Sequence, residues 1–205
     1  MIAIDAEIGY GSPLRRVREV IGDEVVGLRG PNGSGKTTLL KTLAGIQGVV
    51  SGTLEIDGLT ADDGMRFVVP ERRGVRYVDR DGFPHGDIVS FLVFPARCGG
   101  MSRREARGLV ENVIARFSLE DLRGIPVGEM SHGQLGRATL ARAFVGSPRA
   151  VLLDEPMRGI DEANRATLLP ILATALREVR TAIVVSHDRG DLDVLCDRVI
   201  DFDAS

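Results

Sequence analysis

The chain has little cysteine, no long apolar run and no excess of positive charge. Cys98 and Cys196 are the only cysteines and match no metal-ligand spacing, so we interpret them as reduced thiols of a cytosolic protein. No apolar stretch approaches the roughly 20 residues that span a bilayer. Acidic Asp5 and Glu7 stand where a signal peptide needs apolar residues. The net charge of −3 argues against a general nucleic-acid-binding surface, and we expect no nucleic-acid partner.

Lysine is also scarce, since Lys36 and Lys41 are the only lysines among 26 basic residues. Lys36 lies in GPNGSGKTT, residues 30–38, between a predicted strand and a predicted helix. In this Walker A pattern, glycines bring backbone N–H groups close to phosphate oxygens, and the helix N-terminus adds about half a positive charge. A compact ammonium fits this enclosure better than a broad guanidinium. The alternative is a plain glycine-rich turn that begins a helix.

This loop supplies most of the predicted binding residues. Lys36 would reach the β- and γ-phosphates, Thr37 would ligate Mg²⁺, and Thr38 would contact the α-phosphate. The predicted nucleotide-binding residues of the loop are Asn32, Gly33, Ser34, Gly35, Lys36, Thr37 and Thr38.

Strand and helix patterns alternate along the chain and indicate an α/β fold with a parallel sheet and a helical insertion. A helix is predicted from Lys36 to Ala44, and two more after the capping residues Ser102 and Ser131, to about Phe117 and Val145. A long helix ends near Arg180. The predicted strands are 2–8, 24–29, 52–58, 74–79, 150–154, 181–187 and 198–203.

Two further strand ends carry polar residues suited to phosphate chemistry. Asp154 and Glu155 follow the apolar run AVLL, and His187 follows AIVVS. Open α/β sheets bind ligands at such carboxyl ends. Asp154 is predicted to hold Mg²⁺, Glu155 to polarise a water, and His187 to reach a γ-phosphate oxygen. The alternative is that the two acids only mark the strand end and cap the next helix.

These features, in this order, resemble the nucleotide-binding domain of ATP-binding cassette (ABC) proteins over nearly the whole chain. GPNGSGKTT resembles Walker A, MSHGQ resembles the family signature, and LLDEP resembles Walker B with Glu155 as catalytic residue. His187 is similar to the switch histidine, and GID, ending at Asp161, to the D-loop. Tyr10 is similar to the aromatic residue that stacks on adenine, although it could instead pack on the core from an edge strand.

The resemblance implies a RecA-like P-loop NTPase core, an inserted helical subdomain and an N-terminal antiparallel β subdomain. The core would comprise about 1–80 and 147–205, and the helical subdomain about 81–146. ATP and Mg²⁺ are the implied cofactors, and Lys36, Glu155 and His187 the implied catalytic residues. The resemblance also implies a dimer, with a homodimer favoured. Ser131, Gly133 and Gln134 of one subunit would then contact ATP on the other.

Three positions depart from the family pattern. His132 stands where the signature usually has glycine, and the D-loop reads MRGID instead of a Ser-Ala-Leu-Asp type. Arg80 occupies the place of the Q-loop glutamine, which in the family touches Mg²⁺ and the attacking water. An arginine there would be repelled by Mg²⁺, so slow or unusually coupled hydrolysis is one expectation.

The resemblance implies an ATPase subunit that works with separate integral-membrane subunits at the cytoplasmic face of the cell membrane. Residues 80–100, including Phe83, Phe91, Phe94 and Pro95, would receive these subunits, unless the aromatics belong to the core. RGIPVGEMSHGQ and the small size resemble ATPases of small exporters. Two alternatives stay open: a soluble ABC ATPase without a membrane partner, such as a cluster-assembly type, and a regulatory module with little turnover.

Overall fold

The computed structural model describes residues 1–79, 86–98, 100–146 and 148–203. Strands β1 to β9 comprise Ile2–Ile8, Arg15–Ile21, Val25–Arg29, Ser51–Ile56, Leu59–Asp62, Val75–Val78, Ala150–Asp154, Ala182–Val185 and Arg198–Asp201. Helices α1 to α7 comprise Lys36–Ala44, Pro70–Arg73, Ile88–Cys98, Arg103–Arg116, His132–Arg142, Glu162–Arg177 and Arg189–Leu195. Short 3₁₀ turns lie at Glu120–Leu122 and Val127–Glu129.

The larger sheet contains five parallel strands in the order β6-β7-β8-β3-β9. Its central strands β7 and β8 are buried nearly end to end, which agrees with their continuous apolar sequences. Successive residues of β7 enter different cores: Leu152 packs in the cluster that contains Leu40 of α1. Leu153 packs in the cluster that contains Leu168 of α6 and Leu192 of α7. Helices therefore cover both faces of this sheet.

The smaller sheet is antiparallel, with the order β2-β1-β4-β5. Strand β1 alternates buried and partly buried residues, as its sequence predicts. Strand β2 was not predicted, because only Val17 and Ile21 of its seven residues are buried and arginines occupy much of the rest. Arg16 donates a hydrogen bond of 2.5 Å to Asp5 on β1. Arg16 and Arg18 of the basic cluster therefore lie on an exposed strand face, where both pair with Asp5.

A helical segment, α3 to α5, is inserted between β6 and β7. Ser102 caps α4 and Ser131 caps α5, and both caps are complete capping boxes, so the predicted helix starts are confirmed. Strand β7 pairs with β6 and β8 in the parallel sheet. The parallel sheet, the inserted helical segment and the antiparallel sheet together confirm the predicted fold class. The predicted subdomain boundaries at 80–81 and 146–147 stay a prediction. Residues 80–85 and 147, including Arg80 and Phe83, lie outside the described residues.

The predicted ends of two helices were wrong by a few residues. Helix α5 ends at Arg142, short of Val145, and α6 ends at Arg177, short of Arg180. Phe144 and Val145 are buried beyond the end of α5, and their apolar character extended the predicted helix. In α3, Phe91 is buried, whereas Phe94 is 55% exposed. Within the described ranges, no helix is both long enough and apolar enough to cross a membrane.

Candidate functional site

Three loops that carry chemically active residues lie side by side at one edge of the parallel sheet. Strand β8 lies between β7 and β3, so the segments that follow these three strands are neighbours. Asp154 is the last residue of β7 and Glu155 follows it, Ser186 and His187 follow β8, and Gly30 follows β3. This edge holds the carboxyl ends of the strands, where α/β sheets bind ligands.

The loop after β3 depends on glycine in two places. Gly30 has a φ of 152°, and a Cβ there would lie 2.2 Å from the carbonyl oxygen of Phe202. Gly35 has a φ of 98° and is the N-cap of α1, where no side chain accepts a hydrogen bond from the first turn. No acidic residue lies in that turn either. The N-terminal N–H groups of α1 are therefore available to an anion.

Lys36 lies in the first turn of α1 and turns back over the loop. Its Nζ donates hydrogen bonds of 2.7 Å to the carbonyl oxygens of both Gly30 and Pro31. A longer contact of 3.4 Å joins it to Ser34 Oγ. Burial lowers the pKa of the Lys36 ammonium, and the nearby carboxylates of Glu155 and Asp154 oppose that change. The ammonium is thus held at the mouth of the loop by neutral oxygens, with negative charge close by.

Asp154 ends β7 and is held by Tyr77 of the adjacent strand β6. The Tyr77 hydroxyl donates a hydrogen bond of 3.2 Å to Asp154 Oδ2. Burial raises the pKa of the Tyr77 phenol, with Asp154 adding to the shift, so the hydroxyl stays protonated and remains a donor. This contact fixes the carboxylate at the edge of the sheet. Sequence reasoning missed Tyr77, although its position at a strand end was visible in RYV.

Glu155 adopts a left-handed backbone conformation, with a φ of 53°, and its N–H donates to the Val185 carbonyl at 3.0 Å. Such a conformation is uncommon for a residue other than glycine and occurs often at functional sites. Its Oε1 lies 3.2 Å from His187 Nε2. No described residue gives that enclosed oxygen a well-aligned hydrogen bond. Burial raises the pKa of the Glu155 carboxyl, and the nearby His187 and Lys36 oppose this rise. An enclosed, basic oxygen is suited to accept a proton from water.

A cavity of about 990 Å³ joins these segments. Tyr10, 66% exposed, lies on its wall, and its stacking on a base stays a prediction. Of the predicted loop residues, Ser34 alone does not line the cavity; its hydroxyl lies against Lys36 instead. The predicted residues that line it are Tyr10, Asn32, Gly33, Gly35, Lys36, Thr37, Thr38, Asp154, Glu155 and His187.

The predicted signature residues lie apart from this cavity. Ser131 and Gln134 form the capping box of α5: the Gln134 N–H donates to Ser131 Oγ, and the Ser131 N–H donates to Gln134 Oε1. Gly133 packs against α6, where an added Cβ would lie 3.0 Å from Asn164 Nδ2. His132 and Gly136 of the same helix do line the cavity. The chain therefore does not bring Ser131, Gly133 and Gln134 to its own phosphate loop.

Two charged cavity residues had no assigned role in the sequence-based prediction. Asp79 directly follows β6, and Arg158 follows Glu155 by three residues, with its N–H donating to the Glu155 carbonyl at 3.1 Å. Both follow strands that carry recognised motifs, so position alone could have indicated them. Their charges give the cavity a mixed lining of acid and base.

The residues present fit a magnesium ion. Mg²⁺ prefers oxygen ligands and is commonly bound by one or two protein oxygens together with phosphates and water. Thr37 is exposed towards the cavity and supplies a hydroxyl, and Asp154 supplies a carboxylate held by Tyr77. Both are hard oxygen donors that line the same cavity as Lys36.

Comparisons with known proteins agree with the site. A family model described as "ABC transporter" matches residues 19–158. The Fe(3+) ions import ATP-binding protein FbpC of Streptomyces avermitilis is 35% identical over 89% of this chain and 52% of its own length. The molybdenum import ATP-binding protein ModC of Saccharophagus degradans is 31% identical over 86% of this chain and 49% of its own. The chain thus spans about half the length of these curated relatives.

A solved structure shows the same fold. The dimeric bacterial ABC transporter cassette MJ0796 superposes with a TM-score of 0.83 at 23% sequence identity, over 99% of this chain and 94% of that one. The predicted cassette core with its helical insertion is thereby confirmed.

Proposed function

The chain belongs to the ABC transporter family, and from that premise we propose that it binds and hydrolyses ATP to drive transport through separate membrane subunits. One observation carries the proposal. The ammonium of Lys36, the carboxylate of Glu155 and the imidazole of His187 converge on one cavity from the ends of three neighbouring strands. That arrangement supplies a phosphate grip, a base and a γ-phosphate contact, the requirements of phosphoryl transfer to water.

The phosphate loop would hold the nucleotide through α1. The free N–H groups of its first turn and the Lys36 ammonium bind phosphate oxygens, and Tyr10 stacks on the base. Thr37 and Asp154 would hold Mg²⁺, which neutralises charge on the phosphates when bound. The neutral carbonyls of Gly30 and Pro31 position the lysine before nucleotide arrives.

Glu155 would take the proton of the attacking water. Its Oε1 is enclosed and lies 3.2 Å from His187 Nε2. The raised pKa of the Glu155 carboxyl makes it a stronger base than an exposed glutamate. The His187 side chain contacts Glu155 and is 51% exposed, so it would reach the phosphate from the same side.

Two copies would complete two sites. Ser131, Gly133 and Gln134 do not line the cavity of their own chain, and in a dimer they would contact the nucleotide of the other copy. The cassette MJ0796 is dimeric, which supports the same assembly here. All motifs for two equivalent sites are present in one chain, so a homodimer is favoured.

The direction of transport is proposed from the relatives. Both curated relatives are named as import proteins, for Fe(3+) ions and for molybdenum. These names favour import. They give no support to the expectation of a small exporter. Since two relatives of similar identity differ in cargo, no cargo is proposed. The membrane subunits would place the chain at the cytoplasmic face of the membrane.

The test is the substitution Glu155→Gln. The wild-type chain should release phosphate from Mg-ATP, and the variant should lose turnover by roughly 10²- to 10⁴-fold, the usual contribution of a general base. The variant should also form a dimer with ATP, measured by light scattering. Glu162→Gln, at an exposed position in the first turn of α6, is the matched control and should keep full activity.

Three results would count against the proposal. Unchanged turnover in Glu155→Gln removes the assigned base. Wild-type protein without turnover, even with its partners present, favours the regulatory alternative. Recovery from membranes only with soluble proteins favours the ABC ATPase without membrane subunits.

A further inference from the structure

A partly buried polar cluster, with Ser186 and Asp191 buried and Asp188 exposed, holds the two residues that flank His187. The Asp188 N–H donates to Ser186 Oγ at 3.1 Å, and Ser186 Oγ donates to Asp191 Oδ2 at 3.3 Å. Asp188 also caps α7, where its Oδ1 accepts from the Gly190 N–H at 2.8 Å. The His187 loop, residues 186–188, is therefore anchored on both sides of the histidine.

Arg165 of α6 joins this cluster from another element. Its Nη2 donates hydrogen bonds of 2.5 Å to Asp188 Oδ2 and 2.6 Å to Asp191 Oδ1. The Asp191 side chain is 2% exposed, so its carboxylate depends on Arg165 for charge compensation. Burial raises the pKa of Asp191, and Arg165 opposes that rise. Hydrogen bonds to a shared guanidinium are among the stronger ones in proteins.

The same turn of α6 touches the signature helix. Asp161 caps α6 by accepting from the Asn164 N–H at 3.0 Å, and Asn164 Nδ2 donates to Asp161 Oδ2 at 2.6 Å. A Cβ added at Gly133 of α5 would lie 3.0 Å from that Asn164 nitrogen. Arg165 follows Asn164 directly, so one helical turn contacts both the signature segment and the His187 loop.

We infer that Arg165 is a positioning residue, which holds His187 in its position beside Glu155. It also connects the His187 loop to the turn of α6 that lies against Gly133 of the signature helix. This inference rests on the proposed ATPase function. Arg165 does not line the cavity that holds Lys36, although it lines a smaller neighbouring cavity together with Glu155 and His187. It acts through the residues on either side of the histidine. A small displacement of a group near the reacting atoms is enough to cost about 100-fold in rate.

The first experiment separates positioning from nucleotide binding. Arg165→Met should lower kcat about 10- to 100-fold, while the Kd for ATP, measured by calorimetry without Mg²⁺, should stay within about twofold. Arg165→Lys should restore part of kcat, because it keeps a cation but not two hydrogen bonds in one fork. Arg177→Met, an exposed arginine in the last turn of the same helix, is the matched control. Unchanged kcat in Arg165→Met overturns the inference.

The second experiment asks whether Arg165 acts through His187. In a His187→Ala background, Arg165→Met should cause little further loss, because residues that act as one unit are not additive. An equal loss in both backgrounds overturns the inference and leaves Arg165 with a general structural role. The double variant Arg165→Met/Asp191→Asn removes the buried charge that Arg165→Met leaves uncompensated. If the single variant does not fold, the double variant is measured in its place.

The third experiment does not depend on turnover. Hydrogen exchange of nucleotide-free Arg165→Met should be faster than wild type at the amides of 186–192, and unchanged in β3. Equal exchange at 186–192 overturns the inference. If wild-type protein lacks turnover but the exchange difference is present, the proposed function fails and the positioning of the loop stands.

Discussion

Replacing the buried Arg73 with methionine should destabilise the protein by about 3–5 kcal/mol, the usual effect of removing one partner of a buried ion pair. The Arg73 side chain is fully buried, 0% exposed. Its Nε donates to the Val68 carbonyl at 2.6 Å, and its Nη1 donates to the carbonyls of Thr42 and Leu43 at 2.7 and 3.2 Å. Thr42 and Leu43 belong to the last turn of α1, whose carbonyls have no partner within the helix.

The magnitude follows from what methionine keeps and what it loses. Methionine is long, flexible and apolar, so it refills much of the volume. It leaves the carbonyls of Val68 and Leu43 without Arg73, at about 1–3 kcal/mol for each group left unsatisfied, less the cost of burying the guanidinium. The Thr42 carbonyl also loses Arg73 but still accepts from the Gly45 N–H at 3.1 Å. Asp62, 2% exposed and 3.9 Å from Arg73 Nη2, also loses its cation. For a domain of this size, about 2–4 °C per kcal/mol predicts a Tm lower by roughly 6–20 °C.

The assay is thermal and urea unfolding followed by circular dichroism, without nucleotide. Arg72→Met, the exposed neighbour on α2, is the control and should change stability by less than about 0.5 kcal/mol. Adding Asp62→Asn to Arg73→Met should recover part of the loss, because the unpaired charge is removed. A loss below about 1 kcal/mol in Arg73→Met, well under the range for a broken buried pair, would refute the reasoning that Arg73 completes the end of α1.

Two further predictions concern the site itself. Because burial raises the pKa of the Glu155 carboxyl in the folded protein, its ionisation disfavours folding. That penalty is absent well below pH 4.5, the pKa of an exposed glutamate, grows as pH rises towards the folded pKa, and is constant above it. Glu155→Gln should therefore unfold at a higher temperature than wild type at pH 8, with the difference shrinking towards pH 4.5; a difference that grows on acidification would contradict this. Tyr77→Phe removes the hydrogen bond to Asp154 and should raise the Mg²⁺ concentration for half-maximal turnover about fivefold, equivalent to ~1 kcal/mol. An unchanged Mg²⁺ titration would show that Tyr77 does not support the metal site.

Much of the site was predictable because its signals are local. The Walker A spacing places Lys36 at the start of a helix whatever surrounds it, and capping residues such as Ser131 begin helices through hydrogen bonds within three residues. Buried parallel strands such as β7 and β8 are continuous apolar runs, so their ends, with Asp154 and His187, could be located in advance.

Other elements were hidden because their signals depend on neighbours. Strand β2 carries arginines on a face that pairs with Asp5 of β1. Without knowledge of that pairing, neither its apolar periodicity nor its composition indicates a strand. The end of α5 was also missed, since Phe144 and Val145 are buried by tertiary packing and not by helical periodicity.

The sequence by itself determined the chemistry of the loops: which residues are predicted to bind phosphate, which carboxylate stands at the end of β7 and which imidazole follows β8. Only the tertiary structure decided which of them meet. Glu155 and His187 lie 3.2 Å apart because β7 and β8 are adjacent in the sheet, and Arg165 reaches Asp188 across 23 positions of sequence. Local propensities act over a few residues, whereas contacts between distant segments are set by strand order and by burial of the shared core.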